Sequence, residues 1–128
     1  MMIALIAAAA LEVVVAGARN DNGKMIVSVW RESAGFTSLN IAKATVSQTV
    51  PIVNGQARAT FQGLPAGPVA VSAIHDENSD GKLGTNFIGI PREGVGLSNN
   101  QGGMPSFKGS QTTQPTTTKI DLRYLGGK

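Results

Sequence analysis

Hydrophobic and polar residues alternate with a period of two along much of the chain, the spacing of half-buried strands. Leu11-Glu12-Val13-Val14-Val15 is rich in β-branched residues and stops at Gly17, which predicts a first strand. Arg19 to Lys24, RNDNGK, is a turn with an Asn22-Gly23 hairpin signal. Met25 to Trp30, MIVSVW, predicts a second strand, expected to pair antiparallel with the first around that turn. Ser33-Ala34-Gly35 reads as a loop, and Leu39 to Ala44 fits either one helical turn or an irregular link. Ala44 to Val53 predicts a third strand, confined by Pro51 to an edge or a bulge. Asn54-Gly55 is a second hairpin signal. Ala57, Ala59 and Phe61 then alternate with Arg58 and Thr60, a fourth strand with one buried face. After the tight turn Leu64-Pro65-Ala66-Gly67, Pro68 to Ile74 predicts a fifth strand. Thr116 to Tyr124 predicts the last, with Ile120, Leu122 and Tyr124 alternating with Lys119, Asp121 and Arg123.

Between these last two runs, His75 to Gln114 has no long periodic segment and holds Pro91 and Pro105 among many glycines. A stretch of this length inside a small domain carries either function or disorder. The fold class predicted is all-β: an antiparallel seven-stranded (six to eight) β-sandwich of immunoglobulin-like layering, with a long irregular loop before the last strand. Its expected core is Val13, Val15, Ile26, Val29, Trp30, Phe61, Leu64, Val69, Val71, Ile120, Leu122 and Tyr124.

Composition narrows the chemistry. The 128 residues make one domain by length. Charged residues are 15%, below the usual share of about 25%, and Gly 16 with Pro 6 favours turns over a helical bundle. No cysteine is present, so disulfide frameworks and thiolate chemistry are excluded, and a single histidine excludes ordinary zinc sites. The net charge is +3, but the cations are dispersed from Arg19 to Lys128 without stacking aromatics, so no nucleic-acid partner is expected. Met1 to Leu11, MMIALIAAAAL, is uncharged and too short to span a bilayer, so no stable membrane insertion is expected. Residues 1–10 are expected to be a signal peptide with Ala8 and Ala10 as an A-x-A cleavage site, although no Lys or Arg precedes Glu12; the alternative is a first strand or helix of the mature domain. Residues 11–128 are then a single exported domain, periplasmic or secreted.

Candidate chemistry concentrates in His75 to Asn86, HDENSDGKLGTN. Asp76, Asn78 and Asp80 alternate and Gly81 follows, matching the opening of a calcium loop, D-x-[DN]-x-[DN]-G. Calcium takes six to eight hard oxygen ligands, and a loop coiling round the ion turns alternate side chains inward. Gly81 permits the sharp turn that offers the Lys82 carbonyl. The position for a bidentate Glu holds Phe87, so Asn86 or Glu93 must complete the shell. The competing reading is a polar turn cluster, since the same residues dominate turns. No phosphate loop, dinucleotide fingerprint or nucleophile elbow is present. His75 is the only imidazole base, and with no nucleophile tied to it a structural role is expected, so no catalytic residue is assigned.

His75 to Asn100, HDENSDGKLGTNFIGIPREGVGLSNN, followed by Pro105-Ser106-Phe107, resembles the bacterial exported domain-of-unknown-function family 2141, whose hallmark is HDxNxNGKLDTNxxGxPxEGxGxSN and a later PxF. The similarity extends over the FQGLPAG–VAVSAIHD run, the early strand pair ending at Trp30 and a Gly-Phe turn at Phe36. It implies a small exported β-sandwich similar to transthyretin-like and carboxypeptidase regulatory-type domains, and no activity. Gly84 stands where the family has Asp, removing one ligand, and Asp80 stands where Asn is usual, restoring a carboxylate. Val95 and Leu97 replace aromatics, which argues against sugar stacking.

Three functions follow as expectations. The first is an exported non-catalytic β-sandwich with a weak calcium loop built from Asp76, Asn78, Asp80, Lys82, Asn86 and Glu93. The second is a metal-free module binding a cell-surface glycan or protein through the long Gly-rich segment. The third is a hydrolase using His75 and nearby carboxylates.

Overall fold

The computed structural model of the chain describes residues 9–64, 67–77, 94–100, 106–113 and 116–124. Among them are eight strands: β1 (Ala9–Ala16), β2 (Lys24–Trp30), β3 (Val46–Val50), β4 (Ala57–Leu64), β5 (Pro68–Asp76), β6 (Gly94–Leu97), β7 (Gln111–Thr113) and β8 (Thr116–Asp121). One sheet has the order β4-β1-β8; the other has the order β3-β2-β5-β6, with β7 also pairing β5. This is the all-β sandwich that the alternation predicts. The pairings are antiparallel except that β1 and β8, first and last in the chain, run parallel from Leu11↔Thr116 to Ala16↔Asp121.

The expected β1–β2 hairpin does not form. β1 pairs with β4, whereas β2 pairs with β3 and β5 in the other sheet. The turn explains this. Gly23 has φ 69, and a Cβ there would lie 2.0 Å from the Asp76 carbonyl oxygen. The chain is thus wedged against the end of β5 and crosses between sheets instead of folding back. The second Asn-Gly turn behaves as its sequence predicts. Asn54 and Gly55 have φ 52 and 77, the two positive values a type I′ turn needs, and Val53 pairs with Gln56. It joins β3 to β4 and so forms a seam between the sheets.

Two cores flank the β2–β5 pair, where a single one is expected from the sequence. Between the sheets lie Leu11, Val13 and Val15 of β1 with Val27, Phe61, Val71 and Ile120 among others. Ile26 and Trp30 face the opposite way and form a second cluster with Phe36, Leu39, Ala70, Ile74 and Leu97. The reason is that β2 and β5 are buried on both faces, so their sequences run apolar without alternating. The cover includes Phe36 and Leu39, with Ile41 of the short 3-10 turn Ile41–Lys43 and Phe107 of helix α1 (Phe107–Ser110) packed against it. Trp30 and Phe36 meet edge to face at 5.3 Å, and the buried Trp30 indole donates to Ser72 Oγ at 3.0 Å. Tyr124, expected in the core, is half-buried at its margin.

The aperiodic stretch after His75 is not uniformly irregular. Its described parts include β6, β7 and α1, short elements whose glycines and threonines give no clear periodicity.

Candidate functional site

Val69, Val71 and Ala73 of β5 face the inter-sheet core, and two residues further on His75 continues the same face to its end. His75 is fully buried. Its Nε2 lies 2.8 Å from the Asn22 carbonyl oxygen and its Nδ1 lies 2.7 Å from the Tyr124 hydroxyl. A carbonyl only accepts, so Nε2 carries the proton, and in the neutral ring Nδ1 accepts from Tyr124. The Tyr124 oxygen in turn accepts the Arg19 main-chain N–H at 2.9 Å. Both ring nitrogens are thus engaged.

Around this centre the side chains close a ring of bonds. Arg19 grips Glu77 through Nε–H to Oε2 at 2.9 Å and NH2 to Oε1 at 2.6 Å, with its guanidinium 4.5 Å from the Tyr124 ring centroid. Asn20 Nδ2 donates to Glu77 at 2.8 Å, and Asn20 Oδ1 accepts the Asn22 N–H at 2.9 Å. The Arg19 hydrogen bonds hold the Glu77 carboxyl well below the ordinary range, at about 2, with Asn20 assisting against partial burial. Burial raises the Tyr124 phenol. Three distant stretches, 19–22, 75–77 and 124, are therefore latched at one end of the sandwich. Their residue types were visible in RNDNG, HDE and the terminal Tyr124. Their meeting was not, because it depends on β1 and β2 lying in different sheets.

The latch sits at the root of the candidate ion loop. Asp76 ends β5 with 2% of its surface exposed. β6 begins at Gly94 and pairs with β5 through His75↔Gly94, so the two ends of the intervening segment lie side by side. A Cβ at Gly94 would lie 2.6 Å from the Tyr124 ring, so the tyrosine also covers the second root. Asn78, Asp80, Lys82, Asn86 and Glu93 lie outside the described residues. Among the described residues no three His, Asp or Glu side chains group as a metal site.

Asp21 faces the other way from the latch. Its carboxylate accepts the Asn54 N–H at 2.9 Å and the Gly55 N–H at 2.8 Å, clasping the β3–β4 turn. Beside that turn a cleft of about 430 Å³ is lined by Pro51, Val53, Asn54, Gln56, Ala57 and Arg58. Val53 is 63% exposed there.

A second set of polar residues was also missed in the sequence. β6 pairs with residues 72–75 of β5 and β7 with 68–70, leaving Val71 between them. Ser98, fully buried, fills the gap: its hydroxyl accepts the Val71 N–H at 2.9 Å and donates to the Ser110 carbonyl. Asn99, with φ 64, donates through Nδ2 to the Gln111 carbonyl at 2.7 Å, and Asn100 Oδ1 accepts the Asp121 N–H at 3.0 Å. The Ser-Asn-Asn run that closes the long motif is thus a junction for four strands.

With these elements assigned, a family profile described as "Uncharacterized protein conserved in bacteria (DUF2141)" matches residues 13–121, from β1 to the end of β8. The chain belongs to this family. The DUF2141 match runs from the middle of β1 to the end of β8 and includes the latch residues from Arg19 to Glu77 and the Ser-Asn-Asn junction, with Tyr124 just beyond it. No curated protein and no solved structure matches the chain. Among the described residues no helix is long and apolar enough to cross a membrane.

Proposed function

We propose that this protein is an exported, non-catalytic β-sandwich that presents its 76–93 segment as a calcium-binding loop. The observation that carries the reading is the His75↔Gly94 pairing, which closes that segment at its base with the buried carboxylate of Asp76 at one root. Glu93 precedes the other root in sequence. A loop anchored at both ends has less entropy to lose when it closes on an ion. The donor set, Asp76, Asn78, Asp80, the Lys82 carbonyl, Asn86 and Glu93, is all oxygen, which suits calcium rather than zinc or copper. Glu77 is not counted as a ligand because Arg19 and Asn20 hold its carboxylate. The engagement of both His75 nitrogens supports a non-catalytic role. The uncharged run Met1 to Leu11 supports export to the periplasm or beyond.

The affinity expected is that of extracellular modules, about 10⁻⁴ to 10⁻³ M. Calcium at about 10 mM then adds roughly 1.4 kcal/mol to stability for a Kd of about 1 mM. Terbium luminescence and the melting temperature, followed during a calcium titration, test this, with the double variant Asn78→Ala/Asp80→Ala as control. A flat response in the parent chain overturns the ion reading. Fractionation of the native host, with sequencing of the mature N-terminus, tests export: a start near Leu11 in the exported fraction supports it, and an intact Met1 in the cytoplasm overturns it.

The cleft beside the Asn54-Gly55 turn favours a second reading, a metal-free module for a cell-surface glycan or protein. Its lining sets amide and guanidinium donors beside apolar Pro51 and Val53. A glycan array that stays blank with and without calcium counts against the glycan form of this reading.

A further inference from the structure

The chain holds two Asn-Gly dipeptides, and the structure places them in opposite chemical situations. An Asn-Gly pair is open to cyclisation because glycine offers no side chain to hinder attack of its main-chain nitrogen on the asparagine side chain. The reaction needs that nitrogen to be free of a hydrogen bond and the side chain to be able to approach it. At Asn54-Gly55 both conditions fail. The Gly55 N–H is held by Asp21 Oδ1 at 2.8 Å, and Asn54 is fixed at φ 52 within a turn whose own N–H is held by Asp21 Oδ2. At Asn22-Gly23 these restraints are absent among the described residues. Asn22 is exposed, and among the described residues no group bonds its side chain or the Gly23 N–H. Among the described residues the asparagine bonds through its main chain, its N–H donating to Asn20 Oδ1 and its carbonyl accepting from His75 Nε2.

We propose that Asn22 is a site of spontaneous deamidation and isoaspartate formation in the folded protein, and that conversion unfastens the His75 latch. The Gly23 nitrogen loses its proton to solvent and attacks Cγ of Asn22. The new C–N bond forms, the Cγ–Nδ2 bond breaks and ammonia leaves, giving a succinimide. Water then opens the ring. Attack at Cγ gives aspartate; attack at the main-chain carbonyl carbon gives isoaspartate, in which the chain runs through Cγ and is longer by one methylene. Water is the only co-reactant. The second product changes the group that His75 binds. The oxygen now facing Nε2 becomes part of a free carboxylate, and the lengthened chain shifts the segment that Gly23 wedges under the Asp76 carbonyl, where even a Cβ finds no room. The added negative charge lies next to Asp21 and near Glu77, which is already ionised and held by Arg19.

The test holds the purified folded chain at mildly alkaline pH and follows the Asn22 and Asn54 peptides by mass spectrometry. Asn22 is expected to convert roughly tenfold or more faster than Asn54, the factor carried by one charge-assisted hydrogen bond on the attacking nitrogen. In urea the two are expected to converge, and Asp21→Ala is expected to speed Asn54 more than Asn22, narrowing the gap between them. Asn22→Gln, which closes a ring far less readily, is expected to stop the accumulation of acidic species. Equal conversion at the two sites in the folded chain overturns the assignment, as does protection of Asn22 until the protein unfolds. The isoaspartyl form, separated by ion exchange, is expected to melt below the parent and to be cut sooner by protease between Asp76 and Gly94. An unchanged melting temperature and unchanged cleavage overturn the link to the latch.

Discussion

His75 and Glu77, at the end of β5, have their partners in residues far away in the chain, so the latch forms only in the folded molecule. His75 meets Tyr124 across 49 positions, and Arg19 meets Tyr124 across 105. The pair that joins them to the loop root, Arg19 and Glu77, retains 34% and 23% side-chain exposure. Solvent screening therefore keeps its contribution near about 1 kcal/mol. The direction of its pH dependence is fixed. The folded carboxyl titrates at about 2, below its ordinary value of 4.5, so the contribution is present above that ordinary value and is lost as the pH falls from 4.5 towards 2. Glu77→Gln is accordingly expected to be less stable than the parent by about 1 kcal/mol at neutral pH, with the two curves converging towards pH 2. Urea denaturation across that range measures the difference. A gap that persists undiminished at the acid end removes the charge from the explanation.

At the scale of elements, what could be read from sequence depended on how many faces a strand buries. β1 and β4 carry one buried face against the core, and their alternation gave both the strand and its inner residues. β2 and β5 bury both faces, so MIVSVW could be read as a strand but not sorted into sides, whereas the core residues expected from PVAVSAI, Val69 and Val71, do share the inter-sheet face. β6 and β7 are three or four residues long, and Gly94 and Gly96 stand where side chains would have shown a pattern. Those glycines are needed for space: a Cβ on Gly96 would lie 2.3 Å from Ile120 Cγ2, a buried side chain with no room to retreat. The junction between these two short strands rests on Ser98. Ser98→Ala removes the hydroxyl that accepts the Val71 N–H, and is expected to destabilise the protein by about 1–3 kcal/mol, the cost of leaving one buried donor unpaired. Hydrogen exchange at Val71 checks the cause: its amide is expected to lose protection more than that of Val29, its partner on β2. Equal loss at both positions assigns the effect to general loosening instead.

Across the whole molecule, the β2–β5 pair is the shared wall of two cores, and this sets how the sandwich comes apart. Met25, Val27 and Val29 alternate with Ile26 and Trp30, so each of these strands supplies side chains to the inter-sheet core and to the outer cluster in turn. The outer cluster is roofed by Phe36, which is fully buried and stacks edge-on to both Trp30 and Phe107. This roof was hard to read from sequence, because Phe36 and Leu39 sit in a loop without periodicity and Leu39 adopts φ 52, a conformation no propensity favours. Phe36→Ala is expected to cost about 3–5 kcal/mol by emptying the roof. Because no strand of the wall can lose one core and keep the other intact, the loss is expected to lower a single transition rather than create a second one. Trp30 is the chain's one tryptophan, so its fluorescence reports the outer core, while far-UV circular dichroism reports the strands of both sheets. In the variant the two signals are expected to move together to lower denaturant. If Trp30 becomes exposed in an earlier step while the strand signal holds, the outer cluster is an independent layer and the shared-wall account fails.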